Sequence, residues 1–192
     1  MPDFTLVPPG SALRPACEAL VRQVFARCYH ASVPSFPDRL LAVLEQDRPV
    51  AVAGLRDSAT GFFSQAYLDV PVEAALSAAV GSRLDTTDLI EITSLASTSP
   101  DGMQPLLRAV LELGRSEGRR AVIFTTVERL RMRLQRMGLP LIDLGPAQAG
   151  RIADPDRWGD YYRHDPRVLA VLDFPALRIP PAASSAVEAA HV

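Results

Sequence analysis

Strand-length apolar runs and stretches of helical periodicity take turns along this 192-residue chain, most of them closed by glycine or proline. That alternation confines the fold to a sheet covered by helices, because each kind of element buries one apolar side and needs a neighbour to cover it. Phe4 to Val7 reads as a first strand, stopped by Pro8, Pro9 and Gly10. With Ser11 as N-cap, Leu13, Cys17, Leu20, Val21, Val24 and Cys28 then recur at helical spacing as far as His30. Phe36 to Asp47, carrying Leu40, Leu41 and Leu44, reads as a second, shorter helix. Val50 to Arg56 and the aromatic-rich Phe62 to Asp69 read as a hairpin turned at Thr60 and Gly61. Helix Val72 to Val80 with Gly81 as its C-cap, strand Leu89 to Ala96, a helical face from Met103 that ends at Gly118 and strand Ala121 to Thr126 come next. A helix striped by Val127, Leu130, Leu134 and Met137 and two strands, Leu141 to Leu144 and Val168 to Phe174, complete the order. It predicts one α/β (α+β) domain over 1–175, with the Pro/Ala-rich 176–192 as a flexible tail.

Composition removes whole chemistries. All 20 basic residues are Arg, so a lysine Schiff base, a lysine nucleophile and a P-loop lysine are impossible. The net charge of −2 supplies no global field for holding a nucleic acid. His30, His164 and His191 show no metal-ligand spacing, and no GxSxG elbow is present, so neither a metal site nor a serine hydrolase is expected. Cys17 and Cys28 lie about 16 Å apart along one helix, beyond disulfide reach, and read as reduced core thiols. With no export signal and no apolar run of spanning length, a cytoplasmic protein without stable membrane insertion is expected.

Several blocks in fixed order carry a resemblance. Trp158-Gly159-Asp160-Tyr161-Tyr162, followed by Pro166, Val168 and Asp173, resembles the WGxYY segment and following strand of the thermostable hemolysin family. Phe124-Thr125-Thr126, the Arg-rich helix ending Met137-Gly138-Leu139, Leu89-Ile90-Glu91-Ile92 and Phe25 to Ala31 are similar to that family too. The resemblance implies a fold like the acyl-CoA-dependent N-acyltransferases (GNAT-like) and the acyl-homoserine-lactone synthases, with a mixed, mainly antiparallel sheet flanked by helices. Two departures stand out. An acidic residue of the family's pattern is Gln65 here, and its Val-Gly-Asn after the glutamate is Ile92-Thr93-Ser94, which removes the prospect of a second carboxylate beside Glu91.

Glu91 sits in the middle of an otherwise apolar strand, on the face that simple alternation gives to Leu89, Thr93 and Leu95. A buried carboxylate costs several kcal/mol unless partnered or protonated, so two readings stand: a general base with a raised pKa, or half of an ion pair with an arginine such as Arg56. Tyr162 is the expected proton donor to a leaving thiolate. Gln65, Tyr67, Thr125, Trp158 and Tyr161 are the expected substrate contacts. The segment Ala96 to Gly102 takes the place of a pyrophosphate loop with one glycine and an Asp, so coenzyme A would be held weakly there by Leu95, Ala96, Ser97 and Gly102. That leaves acyl carrier protein as an attractive donor. Arg119, Arg120, Arg129, Arg131, Arg133 and Arg136 form either a solvated face or a docking patch for such an acidic carrier, with Arg129, Arg133 and Arg136 at its centre.

The function these readings imply is acyl transfer, with a fatty acyl group expected, from a carrier-protein or CoA thioester to a small-molecule amine, with no tightly bound cofactor. A membrane-active hemolysin-like protein and a non-catalytic ligand-binding version of the fold are the alternatives.

Overall fold

The elements are β1 (Asp3–Val7), α1 (Arg14–Tyr29), β2 (Arg39–Glu45), β3 (Arg48–Arg56), α2 (Val72–Val80), β4 (Leu89–Ser97), α3 (Pro100–Ser116), β5 (Ala121–Thr126), α4 (Glu128–Arg136), β6 (Ile142–Pro146) and β7 (Arg167–Leu172), in a computed structural model that describes residues 3–98 and 100–172. The seven strands form one sheet in the order β1-β2-β3-β4-β5-β7-β6. Every neighbouring pair is antiparallel except β4 and β5, which run parallel with α3 as their crossover. The expected mixed, mainly antiparallel sheet is therefore present. The tail, with Asp173 and Phe174, lies outside the described residues.

Two layers of helices cover the sheet. α3 and α4 bury Leu41, Ile90, Ile92, Val122, Phe124 and Val171 on one face. α1 covers Leu40, Ala42, Val52 and Ala96 on the other, and α2 packs beside it on Leu89, Ala121, Ile123 and Ala170. Glu91 and Thr125 alternate with the residues of the α3 side, so they belong to the α1 and α2 face.

Three local expectations are corrected. Residues 39–45 are a strand, not a helix, because Leu40 to Val43 are buried on both sides between β1 and β3. Gln46 and Asp47, both with positive φ (50° and 61°), turn that strand into β3 as a two-residue hairpin of the primed kind. Phe63–Tyr67 is a 3₁₀ turn rather than a strand, and β3 takes β4 as its second partner instead. At the start of α1, Leu13 holds the N-cap position, while the Ser11 carbonyl accepts the Arg14 N–H at 3.0 Å.

A bulge in β4 decides which side chains reach each face of the sheet. Val52 pairs with Ala96 but Gly54 with Thr93, so β4 carries one residue more than β3, and Ser94 adopts φ 50°. The extra residue transfers Leu95 to the α3 side and leaves Ala96 under α1, which corrects the placing of Leu95 on the Glu91 face. Opposite Thr93, Gly54 is a steric necessity: a Cβ there would lie 2.6 Å from Thr93 Oγ1 and 2.7 Å from Pro37 Cγ.

Candidate active site

The parallel pairing of β4 with β5 ends at Ile92 and Phe124 although both strands continue. A cavity of about 340 Å³ lies at this divergence. Thr93, Ser94 and Leu95 wall it from β4, and Thr125 and Thr126 from β5. Phe25, Tyr29, Phe63, Tyr67, Trp158 and Tyr161 add an aromatic wall, and Arg56, Asp154 and Arg157 add charge. A much smaller, wholly apolar space of about 20 Å³ under α3 and α4 has Ile92, Leu95 and Phe124 as walls in common with it.

The aromatic wall is built by docking the segment 152–164 on the end of α1. The Asp160 N–H bonds the Tyr29 carbonyl at 2.7 Å, and the Ser32 N–H bonds the Arg157 carbonyl at 2.7 Å. Gly159 takes φ 52° and ψ −120°, a conformation open to glycine, directly against the Tyr29 and His30 carbonyls. The Asp160 carboxylate meets His30 Nδ1 at 2.9 Å, and that contact first of all lowers its pKa. Trp158 then packs on Phe25, Phe63 and Tyr161 with ring centroids 5.7 to 6.1 Å apart.

Glu91 is 1 % exposed and lines the cavity. Its Oε2 accepts the Phe63 N–H at 2.6 Å, and its Oε1 accepts the Ser64 N–H at 2.7 Å and the Ser64 hydroxyl at 2.6 Å. The 3₁₀ turn therefore presents its free N-terminal donors to this carboxylate. Burial raises the Glu91 pKa, and the bonds from Ser64 and Phe63 oppose that rise. The ion pair with Arg56 is not formed: that guanidinium donates to the Gly61 and Thr60 carbonyls at 2.8 and 2.7 Å.

The other expected site residues divide. Tyr67, Thr125, Trp158, Tyr161 and Leu95 line the cavity. Tyr162 does not, but its hydroxyl lies 2.7 Å from that of Tyr67, which does. Burial raises the pKa of both. Gln65 turns away. Its amide donates to the Val70 carbonyl at 3.0 Å and accepts the Val72 N–H at 2.8 Å, capping the start of α2 rather than facing a ligand. Ala96 and Ser97 belong to β4. Gly102 lies in the first turn of α3, where a Cβ would come within 2.8 Å of Ser97 Oγ and 3.3 Å of the Ala51 Cβ. The glycine there is closely packed against β3 and β4. The residues missed were Ser64, which is fully buried on Glu91, and Arg56 as a cavity-wall cation. Neither stands out in a sequence, because Ser64 meets Glu91 across 27 positions.

The arginines split into groups. Arg119 joins Arg39, Asp57 and Glu117 in a network and donates to the Thr87 carbonyl at 2.7 Å. Arg120 reaches Asp88, and Arg131 reaches Asp165 at 3.2 Å. Arg129 and Arg136 are exposed on α4 and make no ion pair among the described residues, whereas Arg133 is half-buried. No group of metal-ligating side chains occurs among the described residues, and no helix there is long and apolar enough to cross a membrane.

The fold is shared with solved acyl-transferring synthases. The acyl-homoserine lactone synthase LasI superposes with TM-score 0.61 at 12 % identity, covering 92 % of this chain and 93 % of its own. FeeM, an N-acyl amino acid synthase from uncultured soil microbes, gives 0.60 at 16 %, covering 91 % and 93 %. BjaI, a CoA-dependent acyl-homoserine lactone synthase solved with SAM and isopentyl-CoA, gives 0.59 at 17 %, covering 90 % and 84 %. The sequence matches no curated protein. Residues 7–173 match the thermostable hemolysin family over nearly the whole of the described fold, and the chain belongs to that family.

Proposed function

We propose that this protein is an N-acyltransferase that moves an acyl group from a thioester to a small-molecule amine. The observation that carries the reading is a buried carboxylate of raised pKa on the wall of a cavity where two parallel strands part. LasI and FeeM, which share the fold, are an acyl-homoserine lactone synthase and an N-acyl amino acid synthase, and both products hold an acyl group on nitrogen. The apolar and aromatic walls of the cavity suit the acyl chain, and the polar face near Glu91 suits the amine.

In this reading Glu91 receives one proton from the incoming ammonium. The free amine attacks the thioester carbonyl, the C–N bond forms and the C–S bond breaks. The second nitrogen proton passes to the departing thiolate by way of the Tyr67 hydroxyl, which lines the cavity and is backed by that of Tyr162 2.7 Å away. Whichever of those two donates to the other, the acceptor keeps a proton with no protein partner among the described residues. Trp158 and Tyr161 shape the acceptor space, and Thr125 faces it.

An acyl carrier protein is the donor we favour over coenzyme A, because Ala96 to Gly102 holds one glycine and an Asp, unlike the Gly-rich loops that cradle a pyrophosphate. Arg129, Arg133 and Arg136 would meet the acidic carrier. Arg129 lies close to the cavity: Leu130 lines it, and the Arg129 charge reaches Tyr29, whose pKa burial pushes up to about 12. Incubating the purified protein with acyl thioesters on both carriers and a mixture of amines, followed by mass spectrometry of the products, tests the function. N-acylated product supports it, and its absence with every donor and amine defeats it.

A further inference from the structure

Glu91 poses a problem for any base on this site, because its carboxylate is almost fully buried and three donors already occupy it. An ionised carboxylate only accepts, with roughly four lone-pair directions in all. Beside it the Ser64 hydroxyl bridges Glu91 to Thr125: Ser64 is itself fully buried, and its Oγ lies 2.6 Å from Glu91 Oε1 and 2.9 Å from Thr125 Oγ1. Those contacts fix the direction of the hydrogens. Ser64 has one hydroxyl proton and gives it to the carboxylate, so it must accept from Thr125, and the Thr125 proton is thereby committed inward. Thr125 itself lines the cavity, so a donor that reaches its Oγ1 from there meets lone pairs.

We propose that Thr125 and Ser64 form a two-hydroxyl proton relay that joins the cavity to Glu91. This rests on the acyl-transfer reading above. The acceptor ammonium donates to Thr125 Oγ1. As its N–H bond breaks, Thr125 passes its own proton to Ser64 Oγ, and Ser64 passes its proton to Glu91 Oε1. One proton leaves the nitrogen and one arrives on the carboxylate, with both hydroxyls restored and pointing the opposite way. Charge never rests on either oxygen. The Tyr161 hydroxyl, which donates to the Thr125 carbonyl at 3.2 Å, holds the β5 end of the relay in place. The arrangement also selects its ligand: a group facing Thr125 must be a hydrogen-bond donor, as an ammonium is and a carboxylate is not.

The test uses the full chain with Thr125→Val, which keeps the shape of the residue and removes the hydroxyl, Thr125→Ser, which restores it, and Ser64→Ala, which breaks the middle of the relay while leaving both backbone N–H groups on Glu91. Rates are read with an alkylammonium acceptor and with an alkoxyamine, whose nitrogen is already uncharged at neutral pH. With the alkylamine, T125V and S64A lose roughly a hundredfold, as expected for loss of acid–base assistance, and T125S recovers most of the loss. With the alkoxyamine the deficit largely disappears, an outcome a merely structural role would not produce. An active wild type whose T125V and S64A variants keep their rate, or lose it equally with both acceptors, overturns the relay alone. A wild type that transfers no acyl group to either acceptor overturns the parent reading and the relay with it.

Discussion

Gly159 lies against the Tyr29 and His30 carbonyls so closely that an added Cβ would come within 2.7 Å of the His30 oxygen and closer still to that of Tyr29. Its φ of 52° with ψ of −120° is also closed to ordinary side chains. G159A should therefore cost about 1–3 kcal/mol from backbone strain, and more from the clash. Because this glycine seats Trp158 and Tyr161 on α1, the same variant should lose ligand binding before it loses the sheet. Thermal melts alongside tryptophan fluorescence check this. An unchanged melting temperature would mean that the segment docks by other contacts.

Glu91 makes a prediction with two limbs of opposite sign. Burial holds its folded pKa above the ordinary 4.5, so the folded state binds that proton more tightly than the unfolded chain does. Its contribution to stability is thus full below about pH 4.5 and is lost as pH rises through the raised value. Activity that needs the ionised carboxylate rises across the same window. E91Q should remove both limbs, slow turnover roughly a hundredfold, and place an amide N–H₂ against the Phe63 or Ser64 donors at a cost of about 1–3 kcal/mol. Melts and rates of both proteins across that pH range decide it, and parallel pH slopes in wild type and E91Q would contradict it.

Charge reversal on α4 separates the two donors. Arg129 and Arg136 are exposed without ion pairs among the described residues, so R129E with R136E should leave folding intact. It should lower turnover of the carrier-protein thioester at low salt, leave the CoA thioester little changed, and shrink the difference as salt is raised. Equal effects on both donors would remove the case for a carrier surface.

The two thiols should differ in reactivity. Cys17 is fully buried, and burial raises its pKa, while Cys28 is part-exposed. Alkylation of the native protein at neutral pH should modify Cys17 only after denaturant is added. Peptide mass spectrometry reads this directly. Rapid native labelling of Cys17 would show that α1 opens locally.

The core elements were legible because their patterns are one-sided. Val72–Val80 and Ala121–Thr126 fall where periodicity and glycine punctuation put them. Residues 39–45 were not, since a strand buried on both faces shows a continuous apolar run that fits a helix equally well, and the Gln46-Asp47 turn lacks the usual glycine. The aromatic run at Phe62 to Tyr67 has strand-like composition, yet its conformation is set by a carboxylate on another strand. Glu91 drew notice as an anomaly in its own strand. Its partners could not be read, because bonds to backbone N–H groups leave no mark in a sequence. Gln65 was read as a ligand contact for the same reason: capping uses the residue types that binding does.

Four registered pairs, from Leu89 with Ala121 to Ile92 with Phe124, are the seam between β1–β4 and β5–β7–β6. Mechanically the sheet is two plates on a short hinge, with α3 and α4 packed across one side. A molecule lodged in the gap touches both plates and acts as a wedge that adds cross-seam contacts. Its binding energy then counts toward holding the halves together, by RT ln(1 + [L]/Kd). Amide exchange at the Ile92 and Phe124 end of the seam should be the part of the sheet that slows most when the gap is filled, so occupancy can be followed in the backbone even with a ligand that carries no signal of its own.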